Sequence, residues 1–239
     1  MIVYGRHPVM EMIEADKDIE KILILKNIER DFLNTIQKLC KERGIPIQHV
    51  PKEKLNRTTS ENHQGIIATV PMIQYQQIED VISYVLEMER VPLFVILDNV
   101  TEVRNFGSIA RSAECLGVDA IIVPEQGSAP VNEISMKTSA GALSRLSICR
   151  SKKLSETIAY LQNNGVMVYA SSLNSKRQLQ EMDFIEPTAI ILGSEDHGVQ
   201  KYIMKSADDT FIIPQSGRTD SLNVSVANGV ILYEVQRQR

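Results

Sequence analysis

Two apolar runs in the last quarter of the chain, 189–192 and 211–213, each stop abruptly in small and polar residues. Gly193, Ser194 and Glu195 follow the first run, and Pro-Gln-Ser-Gly at 214–217 follows the second. Open α/β sheets bind ligands just outside the carboxyl ends of their strands. If both runs are parallel strands, these polar segments form a ligand site.

A third polar segment, Ser221-Leu222-Asn223, follows soon after. Ser221 is a good N-cap residue, and the free amides of a helix start suit an anion or a carboxylate. Residues 222–226 alternate with period two, and Asn228-Gly229 is a hairpin turn signal. However, apolar residues also recur on one helical face, at 222, 226, 230 and 233. The periodicity leaves a helix and a hairpin both open.

A further pair of candidates follows the apolar run 93–97. Asn105 and Arg111 lie six residues apart, near and within one predicted helix, and Arg104 lies two turns before Arg111. An arginine aimed at the strand ends would offer a fixed cation with a planar donor fork, which suits a phosphate or carboxylate. A surface arginine is the alternative interpretation of this motif alone.

Other site classes fit the sequence less well. Gly193 and Gly198 are spaced like a P-loop, but Val199-Gln200 occupy the Lys-Ser/Thr positions, which excludes a nucleotide triphosphatase. No G-x-G-x-x-G follows a predicted strand, which weakens a dinucleotide site, and there is no nucleophile elbow or metal motif. Taken one at a time, the same glycines, Glu195 and Ser221 are also explained as turn glycines, a surface acid and a plain N-cap.

Composition places the chain among ordinary globular proteins, with 43% hydrophobic and 23% charged residues. No apolar run approaches the roughly 20 residues of a membrane span, and the first residues are too acidic for a signal peptide. Three cysteines, far apart, match neither a zinc site nor a disulfide framework. We therefore expect a cytoplasmic, reduced protein without a metal or membrane partner.

The charge balance argues against unselective binding of nucleic acid. The net charge is −4; residues 1–72 carry 11 Lys/Arg against 10 Asp/Glu, and the remainder carries 15 against 20. Neither part is a polycation that would grip phosphates unselectively. Composition alone favours a small-molecule enzyme, and any RNA contact must come from a local patch or a dimer surface.

Hydrophobic periodicity predicts two α/β regions. In 1–72 it predicts helices at 9–15 and around 32–39, the second stopped by Gly44, and strands at 22–25, 45–50 and 65–70. The polar loop 56–64 is either a solvent-exposed connection or an RNA contact, with Arg6 and Arg57 as further hypothetical RNA contacts. Residues 71–77 are typical of a linker, and 78–88 of an amphipathic helix.

From residue 91 onward, strands and helices alternate. The predicted strands are 93–97, 120–123, 146–149, 166–170, 189–192 and 211–213, and the predicted helices are 105–116, 134–143 and 154–161. Gly117 closes the first of these helices. Such alternation implies a mostly parallel sheet covered on both faces.

Three segments together resemble the motifs of the SpoU (TrmH-type) family of S-adenosylmethionine-dependent RNA 2′-O-ribose methyltransferases. They are NFGSIAR at 105–111, ILGSEDHGV at 191–199 and IPQSGRTDSLNVSVANGVILYE at 213–234, in the family's order and spacing. The resemblance extends over 93–239 and includes TSAGALSRL at 138–146. Residues 1–72, with YGRHPV and HQGIIA, resemble the small ribosomal-protein-like RNA-binding domain of the rRNA-modifying branch.

The resemblance implies a fold. Residues 91–239 are expected to form a SPOUT catalytic domain, a mostly parallel α/β sheet whose C-terminal stretch threads a loop as a deep trefoil knot. Knots are otherwise almost absent from proteins. The small α/β RNA-binding domain is expected at 1–72, with a linker and leading helix at 73–90. The chain from Ser221 onward is expected to be a helix rather than a hairpin.

The resemblance also implies a site, with S-adenosyl-L-methionine as cofactor, RNA as substrate and a homodimer whose site is completed across the subunit interface. The expected cofactor-binding residues are Gly193, Ile213, Leu222, Ser221 and Asn223. The expected catalytic residues are Asn105, Arg111, Glu195, Ser221 and Asn223.

Arginine is effectively always protonated, so we expect Arg111 to bind the adjacent phosphate and stabilise the forming alkoxide rather than act as a base. A phosphate oxygen or water would take the hydroxyl proton. The other four catalytic residues would orient Arg111, the ribose and the cofactor, and a carboxylate also favours the cationic sulfonium.

The first hypothesis is methylation of a guanosine in the peptidyl-transferase region of large-subunit (23S) rRNA, because of the N-terminal domain. The alternatives are a tRNA or antibiotic-resistance 2′-O-ribose methyltransferase, a non-catalytic RNA-binding ribosome-assembly factor, and a small-molecule α/β enzyme.

Overall fold

The computed structural model describes all residues, Met1–Arg239, and divides the chain into two compact units, Met1–Gln74 and Tyr75–Arg239. The first unit contains a four-stranded sheet in the order β1-β4-β2-β3. Its elements are β1 (Ile2–Tyr4), α1 (Arg6–Glu14), β2 (Lys21–Leu25), α2 (Arg30–Glu42), β3 (Ile47–Val50), α3 (Lys52–Thr58) and β4 (Ile66–Thr69). β2 runs parallel to β3 and antiparallel to β4.

Alternating side chains of β2 divide the core of the first unit. Ile22 and Ile24 pack in one cluster with residues of α1 and α2, whereas Leu23 packs in a second cluster with Leu55 of α3. Successive strand residues point to opposite faces of a sheet. Both faces of this sheet are therefore apolar, and both are packed.

Two sequence-based boundaries in the first unit were wrong. α1 begins at Arg6 rather than residue 9, because Pro8 fits the first turn of a helix, where its missing N–H costs nothing. The segment 56–64 is not entirely loop, since α3 runs to Thr58, and the Thr58 hydroxyl donates to the Lys54 carbonyl at 2.9 Å.

The second unit is built on a six-stranded, wholly parallel sheet in the order β10-β8-β9-β5-β6-β7. Its elements are α4 (Ile78–Glu87), β5 (Leu93–Asp98), α5 (Val103–Cys115), β6 (Ala120–Pro124), α6 (Glu133–Thr138), β7 (Ser147–Ser151), α7 (Leu154–Asn163), β8 (Met167–Ser171), β9 (Thr188–Gly193), α8 (Lys201–Met204), β10 (Asp209–Phe211) and α9 (Val224–Gln238). The predicted parallel sheet is confirmed; the trefoil knot stays a prediction.

β5 lies near the centre of this sheet and is buried along its whole length. It pairs with β9 in register from Leu93 opposite Thr188 to Asp98 opposite Gly193. The carboxyl ends of the two strands are therefore level, and the segments after them leave the sheet side by side. α4, which sequence patterning left with the linker, packs its buried face into the core of this unit.

Three further predictions needed correction. The helix expected at 134–143 ends at Thr138, because Ala140 and Gly141 adopt left-handed φ angles of 50° and 85° and a 3₁₀ turn, Ala142–Ser144, follows. The last strand covers Asp209–Phe211 rather than 211–213, so Ile213 lies beyond it. Ser221 does not cap α9, because the cap is Asn223, whose side chain accepts the Ser225 N–H at 3.0 Å.

The stretch from Val224 onward is a helix, as the resemblance implied, despite the hairpin signal at Asn228-Gly229. Asn228 is buried, and its Nδ2 donates to the Ser112 hydroxyl of α5 at 2.9 Å. The apolar residues Ile231 and Leu232 are fully buried on the same helix. Tertiary packing of α9 against α5 thus overrides the local turn preference.

No helix in the structure is both long and apolar enough to cross a lipid bilayer.

The Arg239 side chain fastens the end of α9 to the base of the sheet. Its guanidinium donates to the carbonyls of Phe184 (2.8 Å), Glu186 (3.0 Å), Val91 (3.0 Å) and Pro92 (3.2 Å). Hydrogen bonds from charged donors contribute more than neutral ones, about 1.5–3 kcal/mol each at best. One side chain therefore joins α9 to the segments before β5 and β9.

We expect Arg239→Ala to lower the free energy of unfolding by about 2 kcal/mol, since it removes charged hydrogen bonds that are partly open to water. Arg237→Ala is the matched control: the Arg237 side chain is 58% exposed and bonds only Glu234, three residues earlier on the same helix, so its loss costs about 0–1 kcal/mol. Urea denaturation of both variants measures the difference. Equal midpoints would contradict the role of Arg239.

Candidate active site

A cavity of about 380 Å³ opens at the carboxyl ends of β8, β9 and β10. Small-molecule sites typically have volumes of about 300–1,000 Å³. The sequence-predicted residues that line it are Gly193, Glu195, Ile213, Ser221 and Leu222. A cavity thus opens at the strand ends, where the sequence predicted a site, and the role of each residue there stays a prediction.

Gly193 allows the loop after β9 to fold back onto its own strand. A Cβ atom at Gly193 would lie 2.0 Å from the Gly198 carbonyl carbon and 2.1 Å from the Val199 nitrogen. The Gly198 N–H donates to the Ser194 carbonyl at 2.8 Å, and Gly198 has φ +66°. Only glycine fits position 193, and the tight return fixes where Glu195 stands.

Three polar side chains from separate elements meet at the rim of this cavity. Asn105 Nδ2 donates to Glu195 Oε1 at 3.0 Å, and Asn223 Nδ2 donates to Asn105 Oδ1 at 3.1 Å. Asn223 Nδ2 also donates to Glu195 Oε1. Asn105, Glu195 and Asn223 therefore form one hydrogen-bonded cluster, which we call the rim cluster.

Helix capping orients the Asn223 amide of the rim cluster and fixes the backbone from which Asn105 projects. Asn223 Oδ1 accepts from Ser225 as the N-cap of α9, so its Nδ2 must face Glu195. At the start of α5, Glu102 Oε2 accepts the Asn105 N–H at 2.6 Å. Glu195 receives both amide donors at Oε1, while Oε2 accepts no hydrogen bond from the protein. The cluster therefore presents one free anionic oxygen.

Arg111 stands apart from the rim cluster. It lies six residues after Asn105 on α5, about 9 Å along a helix axis. Its side chain is exposed, makes no hydrogen bond or ion pair and does not line the cavity. Ser221 lines the cavity but makes no hydrogen bond to the cluster. A single chain thus brings together three of the five predicted catalytic residues.

An apolar strip of α9 is exposed. Val226 is 52% exposed, Val230 39% and Tyr233 66%. These were predicted to share a helical face with Leu222, and that face is not the buried one. Asn228, through which α9 packs on α5, lies on the opposite, buried face of the helix, so the strip is left uncovered.

Sequence reasoning missed the part of the cavity wall that follows β8. Ser172, Leu173 and Asn174 line the cavity beyond the end of that strand. The same signal that picked out 193–195, an apolar run ending in small polar residues, is present after the predicted strand 166–170.

No buried cysteine is poised as a nucleophile. Burial raises the pKa of the Cys149 thiol to about 12 and that of the Cys40 thiol to about 11. Both stay protonated at neutral pH, and a thiol is a poor nucleophile. The structure contains no group of three or more His, Cys, Asp and Glu residues placed to hold a metal ion.

In the first unit, Arg6 and Arg57, the two arginines predicted to contact RNA, differ in whether their side chains are free to bind a ligand. The Arg6 guanidinium donates to Glu29 Oε2 at 2.8 Å and lies 4.7 Å from the centre of the Phe32 ring. The Arg6 N–H donates to Gln64 Oε1 at 3.0 Å, which ties the two motif segments together. Arg57, in contrast, is exposed and makes no ion pair. The Arg6 side chain is therefore already engaged.

Two family profiles match consecutive parts of the chain. The profile of the SpoU rRNA Methylase family matches residues 92–233, and the profile described as RNA 2′-O ribose methyltransferase substrate binding matches residues 2–76. Among curated proteins, the chain is 30% identical over 237 residues to a Bacillus subtilis protein named as a TrmH family tRNA/rRNA methyltransferase, covering 99% of this chain and 95% of that protein. A Staphylococcus aureus protein of the same description is 33% identical, covering 100% and 96%.

Solved structures show the same fold. The SpoU methyltransferase AviRb from Streptomyces viridochromogenes, in complex with AdoMet, aligns with a TM-score of 0.63 at 23% identity, over 100% of this chain and 90% of that chain. The TrmH/SpoU tRNA modifying enzyme of A. aeolicus aligns with a TM-score of 0.58 at 30% identity, over 67% and 84%. The second unit is therefore similar to SPOUT methyltransferases.

We expect Gly193→Ala to lower the free energy of unfolding by about 3 kcal/mol or more, because the added methyl group overlaps backbone that has no room to move. Gly217→Ala is the control, since a Cβ atom at Gly217 would have no other atom within 4 Å and Gly217 has no left-handed φ angle. Denaturant unfolding followed by circular dichroism measures both. Similar stabilities for the two variants would contradict the required close approach.

Proposed function

Because this chain belongs to the SpoU family of RNA methyltransferases, we propose that it methylates a ribose 2′-hydroxyl of RNA with S-adenosylmethionine as the methyl donor. The observation that carries this proposal is the rim cluster, which places a carboxylate and two oriented amides at the mouth of a cofactor-sized cavity. A pure RNA-binding factor would have no use for both features together.

The cavity suits S-adenosylmethionine. Leu192, Ile213 and Leu222 offer apolar surface for a purine ring, and Asn174 and Gln215 offer polar groups for the rest of the molecule. The cofactor supplies a methyl group on a cationic sulfur, which makes the methyl an activated electrophile. A nearby carboxylate stabilises such a cation, and Glu195 lines this cavity with Oε2 unpaired.

The rim cluster fits a positioning role. Transfer to an oxygen requires the hydroxyl to stand in line with the methyl group, and good orientation contributes up to about 7–11 kcal/mol. Asn105 and Asn223 fix Glu195 from two different helices, so the carboxylate cannot turn away. Ser221 lies on the cavity wall, where its hydroxyl can orient the ribose or the cofactor.

Arg111 is proposed to bind the phosphate next to the target ribose and to stabilise the forming alkoxide. Its guanidinium keeps its proton, so the hydroxyl proton passes to a phosphate oxygen or to water. An exposed arginine without a protein partner can take a phosphate without first breaking an ion pair. This role needs Arg111 near the target ribose, which its own chain's cavity does not provide.

We infer that a second copy of the chain completes the site. The apolar strip at Val226, Val230 and Tyr233 is exposed, and burying it between two copies brings α9 of each copy to the interface. α5 packs on α9, and Arg111, exposed on α5, is proposed to reach the partner from there. A two-fold interface is self-complementary, so each Arg111 then serves the cavity of the other subunit. This explains why Arg111 stands apart from the rim cluster within one chain.

The proposed substrate is a guanosine of 23S rRNA. The match of residues 2–76 to a substrate-binding profile supports an RNA partner, and Arg57 is an exposed cation available to it. A tRNA substrate is the alternative, favoured by the likeness to a tRNA modifying enzyme. The connected cluster of Asn105, Glu195 and Asn223 argues against a non-catalytic assembly factor.

The direct test is transfer of labelled methyl from S-adenosylmethionine to unmodified large-subunit rRNA and, separately, to bulk tRNA. We expect label in rRNA at a site resistant to alkaline cleavage, because a methylated 2′-oxygen cannot attack the phosphate. Arg111→Ala should lower kcat about 10²–10³-fold, the usual cost of removing one donor that stabilises a developing oxyanion.

Arg104→Ala is the matched control, since Arg104 is exposed on the same helix and should leave kcat near the wild-type value. Label in tRNA alone would mean that the substrate is tRNA rather than rRNA. Cofactor binding without label in either RNA would contradict methyl transfer to free RNA.

Subunit mixing tests the shared site. Arg111→Ala and Asn223→Ala are each expected to be nearly inactive, yet a mixture unfolded and refolded together should recover about a quarter of wild-type activity, because half of the dimers then contain one complete site. No recovery, with dimers confirmed by light scattering, would mean that Arg111 acts within its own chain.

A further inference from the structure

A second cavity, of about 480 Å³, opens on the second unit at the carboxyl ends of β5, β6 and β7. Asn99, Gln126 and Lys152 come from the segments after these three strands, and Tyr202 of α8 contributes from another side. No residue assigned above to cofactor or catalysis lines this cavity. It is therefore a separate feature that the proposed reaction leaves unexplained.

The cavity borders the position in the sheet where ligands are expected. From β5 the chain proceeds to β6 on one side, whereas from β9 it proceeds to β10 on the other side. The point between such strands is a topological switch point, and open α/β sheets bind ligands in the crevice there. Asp98, at the end of β5, and Gln200, beyond β9, both line the cavity.

The two cavities share α8 as a partition. Lys201 and Met204 line the first cavity, while Gln200 and Tyr202 line the second. Asp98 is 1% exposed, and its carboxylate accepts from the Gln200 N–H and from Gln200 Nε2, both at 2.7 Å. These bonds fix the partition and engage the charge of Asp98. The short segment 195–200 thus connects the rim cluster to the wall of the second cavity.

The side chains of this cavity combine an exposed aromatic ring with a free cation. Tyr202 is 57% exposed, and its hydroxyl has no hydrogen-bond partner. Lys152 is exposed and makes no ion pair, whereas the adjacent Lys153 pairs with Glu156 at 2.8 Å. Stacking on aromatic rings together with cationic side chains along the backbone is how proteins hold single-stranded nucleic acid.

Polar groups suited to base edges complete the lining. Asn99 adopts a left-handed φ of 57°, and a Cβ at Gly127 would lie 2.5 Å from Asn99 Oδ1, so the Asn99 side chain occupies space that Gly127 leaves. Gln126 and Glu125 are exposed beside it. Two amides and a carboxylate supply donors and acceptors, and the exposed acid keeps the cavity from attracting phosphates unselectively.

We propose that the second cavity binds a nucleotide that flanks the methylated one, with its base stacked on Tyr202 and its phosphate bound by Lys152. Asn99, Glu125 and Gln126 then read the edge of that base, so the cavity contributes sequence preference. This inference rests on the proposed function, because it assumes that a single RNA strand runs from the rim cluster over α8.

The test is steady-state methyl transfer with whichever of unmodified large-subunit rRNA or bulk tRNA accepts label from the wild-type protein. Tyr202→Ala should raise KM for RNA about 10- to 100-fold, the effect of losing one base–aromatic stack, while Tyr202→Phe stays near wild type. The dissociation constant for S-adenosylmethionine should not change in either variant.

Lys152→Ala should weaken RNA binding and reduce the slope of log K against log salt by about 0.7, the value for one phosphate contact with a single strand. Lys205→Ala is the matched control: it removes the same charge from an exposed position next to α8 that does not line the cavity. Photo-crosslinking of 4-thiouridine-substituted RNA should label peptides containing Tyr202 or residues 125–127.

Wild-type KM for RNA in both Tyr202→Ala and Lys152→Ala, with active enzyme, would overturn this inference and leave the proposed function intact. A loss of cofactor affinity in Tyr202→Ala equal to the rise in KM would also overturn it, since a structural effect on α8 would then explain the change. A wild-type protein that labels neither RNA would contradict the proposed function and this inference together.

Discussion

The close return of the chain at Gly193 is the constraint on which the site depends. Backbone from Gly198 and Val199 occupies the space where any other residue would have its Cβ atom. The loop 194–198 is consequently a compact turn rather than an open excursion. It directs Glu195 toward α5 and α9 and places Gln200 against Asp98 at the end of the neighbouring strand. One contact between backbone atoms thus positions residues that line both cavities.

The same constraint explains how a carboxylate can be held at a cavity mouth without a cationic partner. Glu195 is fixed by two neutral amides, Asn105 and Asn223, which come from the starts of two helices, and the Asn223 amide is itself oriented by capping α9. Neutral donors position the carboxylate and leave its charge available. An arginine in their place would neutralise it, and Arg111 instead remains free of any ion pair. The charges of the site are kept apart until a ligand arrives.

Local signals in the sequence predicted much of the fold. Gly44 and Gly117 were interpreted as helix stops, and both adopt left-handed φ angles, 65° and 72°. The buried runs at β5 and β9 were recognised because a strand covered on both faces is continuously apolar. The signals that failed were those that compete with packing: Asn228-Gly229 is typical of a hairpin turn but lies within α9. Ala140 ends a helix by adopting a left-handed conformation, which the residue type alanine does not predict.

The site was less accessible to sequence reasoning than the fold. Asn105 and Glu195 are 90 positions apart, and Asn105 and Asn223 are 118 apart, so no periodicity joins them; only the resemblance to a family did. Ser221 was a reasonable cap by residue type, yet Asn223 takes that role because its amide can bond Ser225 and Glu195 at once. Arg111 lies away from the cavity because of how α5 is oriented on the sheet. The spacing of the motif residues in the sequence does not reveal that orientation.

The register of β5 with β9 has a consequence for how the protein acquires its shape. Leu93 pairs with Thr188, 95 residues later, so one edge of the central strand has no neighbour until those 95 residues have been synthesised. Contacts between residues so far apart in sequence form slowly, since a long loop must close before they contribute. Asn223 and the cavity wall at Ser221 arrive later still. A chain that ends before residue 221 therefore has Asn105 and Glu195 but lacks Asn223 and the cavity wall at Ser221, so the candidate site is completed only when the last helix has been made.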